Sequence, residues 1–358
     1  MILSIFLFLV FACSYFATFL VQRYATKHNI VDDPKSAPGR KQQKKPVPLL
    51  GGLGFTLTAL LSILILYGIS LSPLRYIVST DGVLNQAVLE ISTVGFKLFW
   101  VLVSIVILSV VGYLDDKLHL SAKWQILSIS VYVLVSLVGA NLVIDNLSYP
   151  FNSLIPDLFW LKFILSFIWV FLCVNATKIL DGLDGLVALV GFSGFLLVAS
   201  VSFLPNVNQV LPAVLALIWS ASILGFMPFN FPNAKLYLGE GGSEIVGFLL
   251  AIFSLWSGAK VATVSMGIGL FILDIVLVVI LRLKQKRSPL SGDRFHWHHR
   301  LIDLGLSKIQ VLAITAIFLV IFGAVGLAFD TSYKVILILL EIIVLLALLV
   351  WGTYAKSE

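Results

Sequence analysis

Long apolar runs alternate with short polar gaps along the whole chain. Many of the runs reach the roughly 20 residues that a helix needs to cross a hydrocarbon core. None alternates between apolar and polar positions as a strand of an outer-membrane barrel does. The pattern therefore predicts an all-α polytopic membrane protein with about eleven transmembrane helices, ten being the alternative count. The predicted spans lie near 1–21, 48–72, 96–114, 124–144, 159–177, 186–204, 210–228, 245–257, 260–281, 310–328 and 334–353.

The composition agrees with a membrane protein. Of the 358 residues, 59% are apolar and only 12% are charged, whereas a soluble protein carries about a quarter charged residues. The longest polar stretches, 22–47 and 282–308, are too short to form a core of their own. We therefore expect one integral membrane domain over 1–358.

The distribution of lysine and arginine predicts the orientation. Most of the 24 basic residues fall in 22–47, in 282–308 and in the gaps 115–123, 178–185 and 229–244. Loops rich in Lys and Arg stay in the cytoplasm, so these segments are predicted to share the cytoplasmic side of the plasma membrane. The net charge of +6 follows from this bias, and no nucleic-acid partner is expected.

Acidic clusters interrupt the apolar pattern, and all of them fall on the predicted cytoplasmic side. A carboxylate at the rim of a bilayer costs free energy unless it meets a cation or another partner. Several on one side predict a divalent metal and a phosphate, and hence an enzyme with its site facing the cytoplasm. The clusters are Asp115-Asp116, Asp181-Gly182-Leu183-Asp184, Glu240 in LGEGGS, and Asp293 beside a histidine run.

Asp115 and Asp116 follow the third predicted span. Neighbouring positions on a helix point about 100° apart, so the two carboxylates can hold different partners. Anions are unfavourable at a helix C-terminus, which favours function over a merely solvated helix end. One of the two carboxylates could bind a metal while the other accepts a proton or orients a nucleophile, so Asp115 and Asp116 are both candidate catalytic residues.

Two glycine-containing segments carry the next candidates. Asp181 and Asp184 are three residues apart, and their glycines permit a tight turn that approaches a ligand, although solvated acids in a bare turn would give the same pattern. The LGEGGS loop precedes the eighth span, so its N–H groups can face an anion at a helix N-terminus. Glu240 adds a hard oxygen ligand of the kind Mg²⁺ prefers.

The segment from Asp293 to Arg300 contains His296, His298 and His299. Zinc would need tetrahedral N/S ligands, and no cysteine lies nearby. Imidazoles mixed with arginines fit a diphosphate better. For Asp274, inside the ninth span, we expect a structural role, as a partner for Arg282 or a polar helix contact.

At these clusters the sequence resembles the polyprenyl-phosphate N-acetylhexosamine-1-phosphate transferases, over nearly the whole chain. The arrangement of the histidine run looks more like the N-acetylglucosamine branch than the phospho-N-acetylmuramoyl-pentapeptide branch. The motifs that carry the resemblance are Arg40-Lys41, Pro46-Val47-Pro48, Gly51-Gly52, Asp115-Asp116, Asn175 with Asp181-Gly182-Leu183-Asp184-Gly185-Leu186, Phe229-Asn230-Phe231-Pro232, LGEGGS, Asp274 and DRFHWHHRL.

The resemblance implies transfer of N-acetylhexosamine-1-phosphate, in the first place N-acetylglucosamine-1-phosphate, from a UDP-sugar to polyprenyl (undecaprenyl) phosphate. UMP would leave, and the step would be the first lipid-linked one in cell-envelope polysaccharide synthesis. Mg²⁺, with Mn²⁺ as the alternative, would be bound at Glu240 and Asp115. A homodimer stays open. The candidate substrate-binding residues are Asn175, Asp181, Asp184, Arg294, His296, His298, His299 and Lys45.

Three positions depart from the family pattern. The family usually has Asp at the position of Glu240, a second Asn at the position of Lys178, and His at the position of Gln43. Two other functions remain as alternatives: the phospho-N-acetylmuramoyl-pentapeptide transferase of peptidoglycan synthesis and, more remotely, an ion-coupled transporter. Transporter sites lie near the bilayer midplane at broken helices, whereas these acids collect at one rim.

Overall fold

The structure of the protein is a computed structural model. It describes residues 1–34, 43, 45–78, 80–144, 158–257, 261–286 and 296–329, together with a few positions between 333 and 343. Most of the eleventh predicted span, 334–353, therefore lies outside the described residues.

The described chain is built almost entirely from helices. A two-residue antiparallel ladder, β1 (Val31–Asp32) with β2 (Val47–Pro48), pairs Val31 with Pro48. The helices are α1 (Ile2–Lys27), α2 (Gly51–Ser70), α3 (Arg75–Val78), α4 (Gly82–Leu118), α5 (Ala122–Gly139), α6 (Phe159–Leu180), α7 (Leu186–Ser202), α8 (Val210–Asn230), α9 (Glu240–Trp256), α10 (Val261–Lys284), α11 (Trp297–Asp303) and α12 (Lys308–Ala328).

The prediction of an all-α polytopic membrane protein is confirmed. Among the described residues, α1, α2, α4, α5, α6, α8 and α12 are long and apolar enough to cross a membrane, and α7 is a shorter apolar helix. With α9 and α10, these helices coincide with the first ten predicted spans. Because a lipid-exposed backbone must satisfy its own hydrogen bonds, a helical bundle is the expected form for such runs.

Two helices begin earlier than the apolar runs suggest. The third predicted span is the second half of α4, which starts after the N-cap Asp81 and is kinked at Val94. The Asp81 carboxylate accepts a hydrogen bond from the Leu84 N–H, which satisfies one of the free amides of the first turn. The eighth predicted span begins at Glu240 rather than at 245, because the second half of LGEGGS forms the first turn of α9.

Helix α9 is the centre of the bundle. Every residue from Gly241 to Trp256 is buried, and α9 packs against α2, α4, α6, α7 and α10. A helix that is apolar all round is expected in such an interior position. Helices α1, α4, α5 and α12 instead carry many large apolar side chains that are exposed in the isolated chain, as expected of lipid-facing surfaces.

Glycines allow the backbone of the first turn of α9 to contact the backbones of α2 and α4. A Cβ atom at Gly112 of α4 would overlap Gly241, and one at Gly52 of α2 would overlap Gly242. Small residues at helix crossings allow such close packing in membrane proteins. The start of α9 is therefore fixed between α2 and α4.

Substitution of Gly112 by Ala should destabilise the protein, since the new methyl group displaces α9. We expect Gly112→Ala to lower the free energy of unfolding by about 1–3 kcal/mol, the usual cost of overpacking. Thermal unfolding of the purified protein in detergent measures the loss. The control is Gly68→Ala in α2, where a Cβ meets nothing within 4 Å. Equal melting temperatures for the two variants would contradict the close crossing.

Candidate active site

The acidic positions of α4, α6 and α9 meet at one end of the helical bundle. Asp116, near the end of α4, contacts the first residue of α9, and Lys178, near the end of α6, contacts Glu240. The loop after α6 adds Asp181 and Asp184 to the same end, since Asp181 is close enough to Glu240 and Asp116 for their charges to act on it. We call Asp115, Asp116, Asp181, Asp184 and Glu240 the carboxylate cluster.

Asp116 caps helix α9 from a different helix. Its Oδ1 accepts a hydrogen bond from the Glu240 N–H at 2.8 Å, and the residue is only 8% exposed. A carboxylate is unfavourable at the C-terminus of α4 but favourable at the positive N-terminus of α9. Gly239 makes this contact possible, because its φ of +79° suits glycine and a Cβ there would overlap the Asp116 carboxylate.

Asp115 is held by the turn between α4 and α5. Its Oδ1 accepts a hydrogen bond from the Leu120 N–H at 2.8 Å, and its Oδ2 accepts one from Gln125 Nε2 at 2.8 Å. Asp115 is 4% exposed. The two neighbouring aspartates therefore hold different partners, as their positions on the helix predict.

Lys178 lies at the centre of a network that the sequence reasoning missed. Its Nζ is 2.7 Å from Glu244 Oε1, 3.2 Å from Glu240 Oε2 and 3.3 Å from Gln125 Oε1. The hydroxyl of Tyr132 donates a hydrogen bond to Glu244 Oε2 at 3.1 Å. One signal was present in the sequence, since Glu244 is an acid directly before the eighth predicted span and follows Glu240 by four residues, about one helical turn.

The end of the loop between α6 and α7 is held by contacts with two other parts of the chain. Asp184 Oδ2 lies 2.8 Å from Lys308 Nζ at the start of α12. The Gly185 N–H donates a hydrogen bond to Asn230 Oδ1 at 2.8 Å, and Asn230 Nδ2 donates one to the Leu236 carbonyl at 3.0 Å. Gly185 has a φ of +80°, which allows the chain to turn from the loop into α7.

Asp181 is exposed, whereas Asp115 and Asp116 are buried. Desolvation by the surrounding protein raises the pKa of Asp181, and the like charge of Glu240, Asp116 and Asp184 raises it further. The cluster therefore favours the arrival of a cation.

The histidine run packs on the loop between α6 and α7. His296 Nδ1 lies 2.8 Å from Asp274 Oδ2, and the Trp297 N–H donates a hydrogen bond to Asp274 Oδ1 at 3.1 Å. Asp274 therefore contacts the start of α11, a structural contact of the kind expected for it. A Cβ at Gly182 would lie 3.1 Å from His299 Nε2 and 3.2 Å from His298 Nε2.

His298 is fully buried, and neither of its ring nitrogens has a hydrogen-bond partner within the part of the chain that the structure describes. Burial lowers the pKa of His298 well below its usual range, and the neighbouring His299 and His296 lower it further. The ring is therefore neutral near pH 7. Buried polar atoms without a partner are uncommon, and they often mark a place that a ligand or water completes.

Several predicted site residues are not joined to this network. Asn175 uses its Nδ2 to bond the Phe171 carbonyl of its own helix, at 2.7 Å. Lys45 is exposed, just before β2. Arg294 and Asp293 lie outside the described residues, so their predicted roles stay predictions.

Comparison with known proteins gives a consistent family. Residues 98–258 match the model of glycosyl transferase family 4. A Bacillus subtilis protein named probable undecaprenyl-phosphate N-acetylglucosaminyl 1-phosphate transferase is 30% identical over 349 residues, which cover 95% of this chain and 88% of that protein.

Two further relatives extend the similarity. The decaprenyl-phosphate N-acetylglucosaminephosphotransferase of Mycobacterium leprae is 28% identical, covering 88% of this chain and 81% of its own. The undecaprenyl-phosphate α-N-acetylglucosaminyl 1-phosphate transferase of Escherichia coli O157:H7 is 25% identical, covering 94% of this chain and 87% of its own. The similarity thus extends well beyond residues 98–258, the segment that the family model matches.

The lowered pKa of His298 predicts a pH dependence of stability. In the unfolded chain a histidine binds a proton near its ordinary pKa of about 6.5, whereas the folded protein resists that proton. Between about pH 7.5 and about pH 5.5 the unfolded state therefore binds more protons, and the free energy of unfolding falls as the pH falls. Thermal unfolding should show a smaller loss over this interval in His298→Gln than in the wild type.

The control is His28→Gln, at the exposed end of α1, which should lose as much stability as the wild type. Identical pH profiles for His298→Gln and the wild type would contradict the buried, neutral state of this ring.

Proposed function

Because this chain belongs to glycosyl transferase family 4, we propose that it transfers N-acetylglucosamine-1-phosphate from UDP-N-acetylglucosamine to a polyprenyl phosphate in the membrane. The relatives named above act on undecaprenyl or decaprenyl phosphate. The observation that carries the proposal is the assembly of the carboxylate cluster, Lys178 and the histidine run at one end of a membrane-embedded bundle.

The reaction exchanges one phosphorus–oxygen bond for another. An oxygen of the polyprenyl phosphate forms a bond to the phosphorus that carries the sugar, and the bond from that phosphorus to the bridging oxygen breaks. UMP leaves with the electrons of the broken bond, and the product is a polyprenyl diphosphate sugar. Both reactants are anions, so the site must position them and offset their charge.

Asp115 and Asp116 act on the acceptor side. The fixed carboxylate oxygens align the lipid phosphate and take up its remaining proton. Leu50, Leu53 and Leu238 line a small cavity beside Asp116, with room for about one water molecule.

The donor binds across the loop between α6 and α7 and the histidine run. Asp181 is exposed there and accepts hydrogen bonds from the sugar or the uridine, while His298 and His299 face the diphosphate. The unpartnered nitrogens of His298 support this assignment, because a neutral imidazole can donate one N–H to a phosphoryl oxygen.

The carboxylates also fit a divalent cation. Mg²⁺ is commonly bound by one or two carboxylates together with substrate phosphates, rather than by a cage of protein ligands. Asp115 and Glu240 would hold it, with Mn²⁺ as the alternative. Within the described residues no group of three metal-ligating side chains is preformed, so oxygens of the donor complete the set. When bound, the ion offsets the charge of the diphosphate.

We place the site on the cytoplasmic side, because the segments rich in Lys and Arg border it. A transporter is the weaker candidate. The cluster lies in the last turn of α4, in the loop after α6 and in the first turn of α9, whereas transporter sites lie near the middle of the bilayer.

Loss of either aspartate of α4 should abolish turnover. We expect Asp115→Asn and Asp116→Asn each to lower the rate of UMP release by about 100-fold or more, the usual contribution of a catalytic acid or base. The assay uses purified protein in lipid with UDP-N-acetylglucosamine and undecaprenyl phosphate. The control is Asp81→Asn at the other end of α4, where asparagine is an equally good N-cap.

Near-normal rates in both α4 variants would count against the proposed reaction, as would an equal loss in Asp81→Asn. A donor panel that includes UDP-N-acetylmuramoyl-pentapeptide separates the two branches of the family.

The length of residue 240 matters less than its charge. Glu240→Asp should keep most of the turnover, because it retains a hard oxygen ligand. Glu240→Gln should raise the Mg²⁺ concentration needed for half-maximal rate by about 10-fold or more, the effect typical of weakening a metal site. Titration of the rate against Mg²⁺ measures both variants. A glutamine variant with the metal dependence of the wild type would remove Glu240 from the metal site.

A further inference from the structure

Glu244 forms a buried anchor between three helices. Glu244, on α9, is 3% exposed. Its Oε1 lies 2.7 Å from Lys178 Nζ on α6, and its Oε2 accepts a hydrogen bond from the hydroxyl of the fully buried Tyr132 on α5. A carboxylate in such a position is costly unless it is paired and hydrogen-bonded. Both oxygens of Glu244 have partners, so the contact between Glu244 and Lys178 is fixed.

The contacts of Lys178 at the edge of the site can be exchanged for contacts with another partner. The ammonium has three N–H groups, and its remaining acceptors are Glu240 and Gln125 at the edge of the site. The Glu240 side chain is 46% exposed, compared with 3% for Glu244. Glu240 can therefore turn away towards another partner without leaving a buried charge unpaired, whereas Glu244 cannot.

The charges at the site indicate which kind of ligand can replace Glu240 at Lys178. Lys178 and Glu244 together are neutral, so the carboxylate cluster keeps its negative charge when the site is empty. A nucleotide diphosphate brings further negative charge to the same place, and each anion then competes for the ammonium. Because Glu244 holds Lys178 in place, the ammonium is a fixed point charge that suits a phosphoryl oxygen.

We propose that Lys178 is a phosphate-binding residue of this chain, positioned by Glu244 and Tyr132, whose contact with Glu240 is replaced by a phosphoryl oxygen when the nucleotide sugar binds. The proposal rests on the proposed function, because it names a contact of that donor.

The test compares donor binding by the wild type, in which Lys178 and Glu244 together are neutral, with donor binding by a variant in which both positions are uncharged. Replacement of one partner of a buried ion pair leaves the other unpaired, whereas replacement of both is often tolerated. The variant is therefore Lys178→Met combined with Glu244→Gln. Calorimetry in metal-free buffer with EDTA measures the binding of UDP-N-acetylglucosamine, and competition with uridine reports on the part of the site that holds the nucleoside.

If Lys178 binds phosphate, the double variant binds the donor about 10-fold more weakly or worse, as expected for one charge-assisted hydrogen bond, and uridine binds as it does to the wild type. Unchanged donor affinity in the double variant overturns the proposal, and so does an equal loss for uridine, which would show a structural role. A wild-type protein that does not bind the donor even after Mg²⁺ is added overturns the proposed function itself.

Glu240→Gln keeps the proposal testable if the double variant does not fold. This substitution removes the competing carboxylate while Glu244 still holds Lys178. In metal-free buffer we expect it to bind the donor several-fold more tightly than the wild type, and Lys178→Arg to keep the donor affinity because it keeps the charge. Unchanged or weaker donor binding by Glu240→Gln overturns the proposal.

Discussion

The site depends on the contact between the Asp116 carboxylate and the first amide of α9. The contact exists because the glycine backbones of α2, α4 and α9 touch, so that a helix end reaches a carboxylate of another helix. The positive end of α9 and the negative charge of Asp116 stabilise each other. This crossing also sets the position of Glu240 and Glu244, which lie one turn apart on α9 and both face Lys178.

Excess negative charge is the second constraint, and the protein offsets it in two ways. Backbone and amide groups donate hydrogen bonds to Asp115 and Asp116, which tie the carboxylates to the ends of α5 and α9. Lys178 pairs with Glu244 of α9, and Lys308 pairs with Asp184 of the loop between α6 and α7. The exposed Asp181 has no such ion pair among the contacts described, and its raised pKa shows that the offset is incomplete there. The remaining negative charge would attract the cation that is bound to an anionic substrate.

The sequence predicts the helices well and their mutual contacts poorly. Apolar length locates ten of the helices, and seven of the described helices are long and apolar enough to cross a membrane. It misplaces the start of α9, since glycine and glutamate do not look like a buried helix although Gly241 and Gly242 lie in the first turn. Charge bias alone assigns the acidic clusters to one side of the membrane, and in the structure Asp116, Asp181 and Glu240 lie at one end of the bundle.

The contacts that the sequence does not predict are the long-range ones. Glu244 and Tyr132 are separated by 112 residues and Lys178 and Glu244 by 66 residues. Only the packing of α5, α6 and α9 shows that these polar groups meet inside the bundle. Asn175 donates a hydrogen bond to its own helix, and its predicted contact with substrate stays a prediction.

The most direct measurement is an experimental structure of the protein with UDP-N-acetylglucosamine bound, determined in lipid or detergent. The account predicts the diphosphate between Lys178 and the histidine run, with the uridine or sugar at Asp181 and the Glu240 carboxylate released from the lysine. A nucleotide bound at the other end of the bundle, or a diphosphate out of reach of both the carboxylate cluster and Lys178, would contradict it.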